Sequence, residues 1–217
     1  VDGGRDAGVD AGPPLSLVTE LLEPAIELLP YTATLSAQGG TPPYRFRVTQ
    51  SLPQGLRLDD GVLAGIPAEP GAFLVAVEVQ DDASPPAIVS AGYELRVRPQ
   101  LRVAGPLTLV DGYKGHSYTE TVSATGGTPP YHFALAPGSQ LPANLTLSPE
   151  GRVSGTPSAQ EELEFWVVVT DSDPQPQTAT RKLSIKISAN VPLALTIANQ
   201  SVPDGRAGTS YQYTLRV

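Results

Sequence analysis

The sequence contains no cysteine and no methionine, and only one tryptophan and two histidines among its 217 residues. Without cysteine, disulfides, thiolate zinc sites and cysteine nucleophiles are excluded. Neither His116 nor His132 has a nearby serine and aspartate arrangement of the kind that forms a catalytic triad. We therefore predict a chain that is not an enzyme and carries no cofactor.

Basic residues are also scarce, with 14 Lys and Arg against 22 Asp and Glu, for a net charge of −8. Binding to nucleic acid needs a basic face, and none is visible, so nucleic acid is excluded as a partner. No apolar run approaches the roughly 18 residues of a membrane span. We therefore expect no membrane span within this chain.

Helical periodicity is missing as well, because no window of ten or more residues shows it without an interrupting proline or glycine. Proline (23) and glycine (21) are frequent, while 40% of the residues are hydrophobic, which is enough to form a core. Apolar residues recur at every second position, as in Phe73, Val75, Val77 and Val79. The pattern predicts an all-β protein with short strands.

One string occurs twice: GGTPPYRF at Gly39–Phe46 and GGTPPYHF at Gly126–Phe133. The similarity extends on both sides and makes an internal repeat of domain size. Each copy predicts a β-sandwich of about seven strands. The predicted units are a flexible Asp/Gly/Ala linker (1–14), a first domain (15–98), a second domain (99–188) and the first two strands of a truncated third domain (189–217).

The repeated string predicts a structural corner between two strands. Its glycines allow positive φ angles, and Thr-Pro-Pro is expected to keep the chain extended. The tyrosine that follows, Tyr44 or Tyr131, is predicted to be largely buried in the core. A phosphate-binding loop is disfavoured, because neither lysine nor a helix follows and the prolines remove N–H donors.

Together, GGTPPYxF, the LPxGLxL segment, the GxIxGTP segment and a long apolar strand ending in VTDS resemble the Ig-like repeats of bacterial surface proteins, related to the cadherin-like domain of dystroglycan. The second copy has GGTPPYHF, LPANLTL, GRVSGTP and WVVVTDS, and the first departs at VQDD. The resemblance implies tandem Ig-like or cadherin-like sandwiches on an exported protein without enzyme activity. Residues 1–14 also resemble the spacers of bacterial lipoproteins, which implies a lipid anchor in the outer membrane.

Carboxylates cluster after the sixth strand of each copy, at Asp81, Asp171 and Asp173. In cadherins, to which the family is related, an aspartate in this loop binds Ca²⁺, and oxygen ligands suit that ion. These three residues are therefore the candidate metal site. In the alternative interpretation, the aspartates accept hydrogen bonds from backbone N–H groups and shape the turn.

Trp166 is out of phase with the apolar residues of its strand, so it is expected to face away from the core. An outward tryptophan could stack on a sugar ring or a partner protein. The alternative is that it packs against the neighbouring domain or under a long loop. Trp166 is thus the candidate partner contact.

These observations predict a non-catalytic extracellular tandem module, acting as a spacer or as an adhesion unit at a cell surface, with a protein or a surface polysaccharide as its partner. A second interpretation is an accessory carbohydrate- or ligand-binding module of a larger secreted enzyme. A third is a calcium-stiffened, cadherin-like adhesin. Because Ser201–Val217 repeats the layout of Thr108–Ala124, we also expect further domains beyond Val217.

Overall fold

The computed structural model describes residues 12–191, 206–208, 210 and 212, and all its regular structure there is β. Most of the predicted third domain lies outside these residues, as does most of the predicted linker. The described chain forms two tandem β-sandwiches, which confirms the all-β, Ig-like fold class.

The first domain contains nine strands that form two facing sheets and a small two-stranded ribbon. The larger sheet has the order β2-β9-β8-β5, the smaller one β3-β7-β6, and the ribbon joins β1 to β4. The strands are β1 (Ser16–Leu17), β2 (Ala25–Ile26), β3 (Tyr31–Thr34), β4 (Ala37–Gln38), β5 (Arg45–Val48), β6 (Leu56–Asp59), β7 (Val62–Gly65), β8 (Gly71–Gln80) and β9 (Ile88–Arg98).

The second domain repeats this topology, with sheets β11-β18-β17-β14 and β12-β16-β15 and a ribbon of β10 and β13. In both domains one pairing is parallel, between the short second strand and the long last strand. The strands are β10 (Arg102–Ala104), β11 (Gly112–Tyr113), β12 (Tyr118–Thr121), β13 (Ser123–Thr125), β14 (His132–Leu135), β15 (Leu145–Leu147), β16 (Arg152–Gly155), β17 (Glu161–Thr170) and β18 (Thr178–Ser188).

The core of each sandwich comes from the alternation that the sequence shows. Val75, Val77 and Val79 of β8 are fully buried, and so are their counterparts in β17. Apolar side chains on every second position of a strand face one side of the sheet, so two such sheets bury them against each other. A separate cluster of buried apolar residues fills each domain.

Nine strands replace the predicted seven because one predicted strand in each domain is divided and one short strand was not predicted. The predicted opening strand, residues 15–22 in the first domain, contains β1, which pairs with β4, whereas β2 follows it and joins the larger sheet. The next predicted strand divides into β3 and β4. The chain therefore leaves one sheet and enters another within a few residues, and two-residue strands carry too little periodicity to be recognised in a sequence.

Candidate functional site

The corner of the first domain is built from the second glycine of the repeated string and one carboxylate. Gly40 has φ +61°, and a Cβ atom there would lie 2.5 Å from Oδ2 of Asp81. That oxygen accepts the N–H of Thr41 at 2.9 Å, and Oδ1 accepts the N–H of Ala87 at 2.6 Å. The hydrogen bond from Thr41 is the main cause that lowers the pKa of Asp81 below its usual range, against the opposing effect of desolvation.

The second domain repeats this arrangement with Gly127 and Asp171. Oδ2 of Asp171 accepts the N–H of Thr128 at 2.9 Å, and Oδ1 accepts the N–H of Gln177 at 2.7 Å. A Cβ atom at Gly127 would lie 2.7 Å from Oδ2. In both domains, therefore, a buried aspartate ties the corner to the loop that follows the longest apolar strand.

The corner tyrosines are partly buried, and the ring of Tyr131 packs against the core of the second domain. The Tyr44 hydroxyl donates to the carbonyl oxygen of Gly39 at 2.8 Å, and that of Tyr131 donates to Gly126 at 2.7 Å. Each hydrogen bond ties the end of the ring to the backbone of its own corner. The prediction that the prolines keep the chain extended was wrong, because residues 39–43 form a succession of bends that includes a cis Pro42–Pro43 bond.

The third candidate metal ligand, Asp173, lies at the junction between the two domains. Its Oδ1 is 2.5 Å from Nη1 of Arg98, the last residue of β9, and it also accepts the N–H of Gln175 at 3.1 Å. The hydrogen bond from Gln175 is the largest cause that lowers the pKa of Asp173, and the charge of Arg98 acts in the same direction.

The structure does not bring the three candidate ligands into one site. Asp81 lies in the first domain, and Asp171 and Asp173 lie in the second, where each is already engaged as described. No group of three or more His, Asp or Glu side chains within the described residues could hold a metal ion. Calcium binding at these positions stays a prediction, which melting experiments can test.

Arg98 is the main contact across the junction, and its side chain is only 8% exposed. Besides the ion pair, Nη1 donates to the carbonyl oxygen of Gln175 at 2.8 Å. The amide of Gln177 adds two hydrogen bonds to the connecting segment, from Nε2 to Pro99 O and from Leu101 N to Oε1, both at 3.0 Å. Both domains therefore hold the short connection between them.

A cleft of about 350 Å³ lies at this junction. Ile26 and Leu29 of the first domain line it, together with residues 175–178 of the second. Arg98 and the connecting segment complete the lining. The Nε atom of Arg98 is buried and has no hydrogen-bond partner within the described residues. The cleft thus combines apolar side chains with polar ones, whereas the Nε atom of Arg98 is enclosed by protein.

Sequence reasoning missed the side-chain contacts across this junction. The first copy has Ala83, Pro85 and Ala87 where the second has Asp173, Gln175 and Gln177. All three residues of the second copy contact Arg98 or the connecting segment. The available signal was the sequence difference between the two copies of this loop, because residues found only in the second copy indicate contacts that only the second domain makes.

Trp166 lies on the outer face of its sheet and is 46% exposed, as the alternation predicts. Its cross-strand neighbour is Lys182, which forms an ion pair with Glu164. The Trp166 backbone N–H donates to the hydroxyl of Ser139 at 3.0 Å. The ring is thus accessible to a partner, and its role as a partner contact stays a prediction. Both histidines are exposed.

Within the described residues, no helix is long and apolar enough to cross a membrane. Among curated proteins, none matches the chain in sequence.

Solved structures similar to the chain include the extracellular domain of protocadherin gamma B4, with 16% identity over 81% of the chain and 34% of that structure, and a TM-score of 0.39. Mouse cadherin-23 EC22-24 shows 14% identity over 82% of the chain and 65% of that structure, with a TM-score of 0.37. The titin I-band fragment I67-I69 has 14% identity over 82% of the chain and 67% of that structure, with a TM-score of 0.46. The chain spans only about a third of the protocadherin structure.

One family model matches the chain twice, over residues 18–98 and 101–188. The two matches cover most of the sequence and coincide with the two sandwiches that share the glycine and aspartate corner. The chain belongs to the Putative Ig domain family, of which it contains two tandem copies.

Proposed function

We propose that this chain is a non-catalytic module of an exported protein, in which two Ig-like domains are joined as one stiff spacer. The observation that carries the proposal is the buried Arg98 side chain, which belongs to the first domain and is paired within the second. A buried charge requires a partner, so a bend that separates the pair while both groups stay desolvated would leave a carboxylate and a guanidinium unpaired, which is costly. The junction therefore resists bending.

The family resemblance supports an extracellular setting for this spacer. Its net charge of −8 favours solubility, and its resemblance to surface-protein repeats implies export, with a lipid anchor or secretion as the two routes. A spacer needs neither catalytic residues nor a cofactor.

A double-mutant cycle in the full chain tests the pairing. Arg98→Ala and Asp173→Ala are each expected to lower the midpoint of chemical unfolding, and the double variant to lose clearly less than the sum of the two. Arg57→Ala, an exposed arginine of the first domain, serves as the control and should add independently to Asp173→Ala. Strict additivity of Arg98→Ala and Asp173→Ala would refute an energetic link between the domains.

A second candidate function, recognition of a surface polysaccharide, is favoured by the exposed ring of Trp166. Aromatic faces stack on sugar rings and supply a large apolar contact area. A glycan array should then identify a ligand whose binding falls at least tenfold in Trp166→Ala. Leu74→Ala, an exposed apolar residue on the corresponding strand of the first domain, is the matched control. Equal binding by the two variants would exclude Trp166 as the contact.

A further inference from the structure

The outer face of the larger sheet differs between the two domains in a way that the fold does not explain. The two longest strands pair in the same register in both domains, so their outward residues can be compared position by position. Aromatic or charged residues of the second domain replace small or apolar ones of the first: Trp166, Glu164 and Lys182 correspond to Ala76, Leu74 and Gly92. Because the first domain forms the same sandwich without these residues, the fold itself does not require them.

The loop beside Trp166 is also longer in the second domain. Residues 137–140 follow Ala136 there, whereas only residues 50–51 occupy the corresponding place in the first domain. Ala136 donates its N–H to the carbonyl oxygen of Trp166 at 2.9 Å, and the hydroxyl of Ser139 accepts the Trp166 N–H at 3.0 Å. The longer loop therefore lies against β17 at Trp166, so all four differences between the domains meet around one indole ring.

The charges on this face cancel. Lys182 forms an ion pair with Glu164, and Lys186 lies opposite Glu162 on the same face. The exposed fractions of the Lys182 and Glu164 side chains are 46% and 62%, so both keep groups that face water. An ammonium group offers several N–H donors and a carboxylate several acceptor sites, more than one ion pair uses. The ring is thus flanked by donors and acceptors that carry no net charge.

We propose that this face binds an uncharged polysaccharide, with one sugar ring stacked on Trp166 and the sugar hydroxyls hydrogen-bonded to Lys182 and Glu164. The proposal rests on polysaccharide recognition by Trp166, the second candidate function, and adds the class of glycan. An aromatic face supplies the stacking area, and the ion pair supplies a donor and an acceptor for neighbouring hydroxyls.

Charge and size argue for this occupant over two others. An anionic glycan would approach a chain of net charge −8, and the cation beside the ring is already paired with Glu164. A protein partner would need a much larger surface, since a stable protein interface takes about 20–30 residues a side and the face that differs between the domains comprises a few. A sugar ring matches the dimensions of one indole with its flanking ion pair.

Trp166 is the only tryptophan of the chain, so its fluorescence reports on the proposed site directly. The full chain is titrated with uncharged polysaccharides (a glucan, a mannan, a galactan and a xylan) and with anionic alginate, polygalacturonate and hyaluronan. We expect at least one uncharged polysaccharide to shift the emission of Trp166 and to shield it from acrylamide quenching. The anionic polysaccharides should leave both signals unchanged.

The double variant Glu164→Ala and Lys182→Ala removes the ion pair and keeps the fluorescent ring. Its Kd for the bound polysaccharide should be at least tenfold higher than that of the original chain, with an unchanged melting temperature. The two single variants provide a second measurement if the double variant is destabilised. Leu74→Ala, at the position of the first domain that corresponds to Glu164, is the matched control and should leave the Kd unchanged.

The outcomes separate this inference from the function on which it rests. Tighter binding of an anionic polysaccharide than of any uncharged one would overturn the inference while leaving Trp166 as a glycan contact. A Kd that the loss of the ion pair leaves unchanged would do the same. A Trp166 signal that responds to no polysaccharide of either class would overturn both the inference and polysaccharide recognition.

Discussion

A glycine and a carboxylate determine each other's position at the corner of both domains. The carboxylate accepts the N–H of the residue after the glycine, and a side chain on the glycine would occupy the carboxylate's place. This relation links the repeated string to an aspartate more than 40 residues later in the chain. The second glycine of the GGT sequence and the aspartate are therefore parts of one corner.

Substituting the second corner glycine should therefore be more costly than substituting an unconstrained one. Gly127→Ala and Gly138→Ala both place a side chain at positive φ, which costs about 1–2 kcal/mol. Only Gly127→Ala also displaces the Asp171 oxygen and its hydrogen bond, for about 1–3 kcal/mol more. Denaturant unfolding of both variants measures the difference. Equal losses would show that the carboxylate does not constrain the corner.

The corner also predicts how stability responds to acid. The folded-state pKa of Asp81 is lowered, so its stabilising effect is complete above the unfolded value of about 3.9 and is lost as the pH falls through the lower folded value. Asp81→Asn should lower the free energy of unfolding at pH 7, and its difference from that of the original chain should disappear below about pH 4. Unfolding curves between pH 7 and pH 2 test this, and a gap that stays constant with pH would argue against it.

At the scale of the element, β17 shows how strand alternation separates stability from recognition. Phe165 is fully buried, while the adjacent Trp166 lies on the outer face. Phe165→Ala should destabilise the second domain by about 3–5 kcal/mol. Trp166→Ala removes a larger ring, but it should change the free energy of unfolding by no more than about 0.5 kcal/mol if that face has no role in folding. Comparable losses for the two variants would mean that the ring supports the fold.

The elements that the sequence predicted best are those with a local physical cause. Alternation predicted the buried valines of β8, and the repeated string predicted a corner in each domain. The two-residue strand β2 was not predicted, because its position is set by pairing with the distant strand β9. The hydrogen bond of the Tyr131 hydroxyl to its own corner was also not predicted, because alternation does not encode it.

The side-chain contacts across the junction could not be predicted from the sequence for a related reason. Arg98 and Asp173 are far apart in the chain and meet only when both domains are folded and placed end to end. Neither residue belongs to a recognisable motif. The candidate metal site was likewise chosen from the residue type alone, whereas the hydrogen bonds that occupy Asp171 follow from the three-dimensional path of the loop.

At the scale of the whole molecule, we expect the chain to fold without calcium. The oxygens of Asp81 and Asp171 already accept backbone N–H groups, and Asp173 is paired with Arg98. Melting curves with excess Ca²⁺ and with a chelator should therefore coincide. A ligand at a hundred times its Kd would add about 2.7 kcal/mol to the free energy of unfolding. A clear rise in melting temperature with Ca²⁺ would therefore support the calcium-stiffened interpretation instead.

The central claim is that Arg98 holds the two domains at a fixed angle. Because the chain has no cysteine, Thr34→Cys and Thr121→Cys introduce the only two thiols, at corresponding exposed positions of β3 and β12. Spin labels on these residues report the distance between the domains by pulsed electron resonance. We predict a single narrow distance distribution, broadened by Arg98→Ala and unaffected by Arg57→Ala. A broad distribution that Arg98→Ala leaves unchanged would contradict the account.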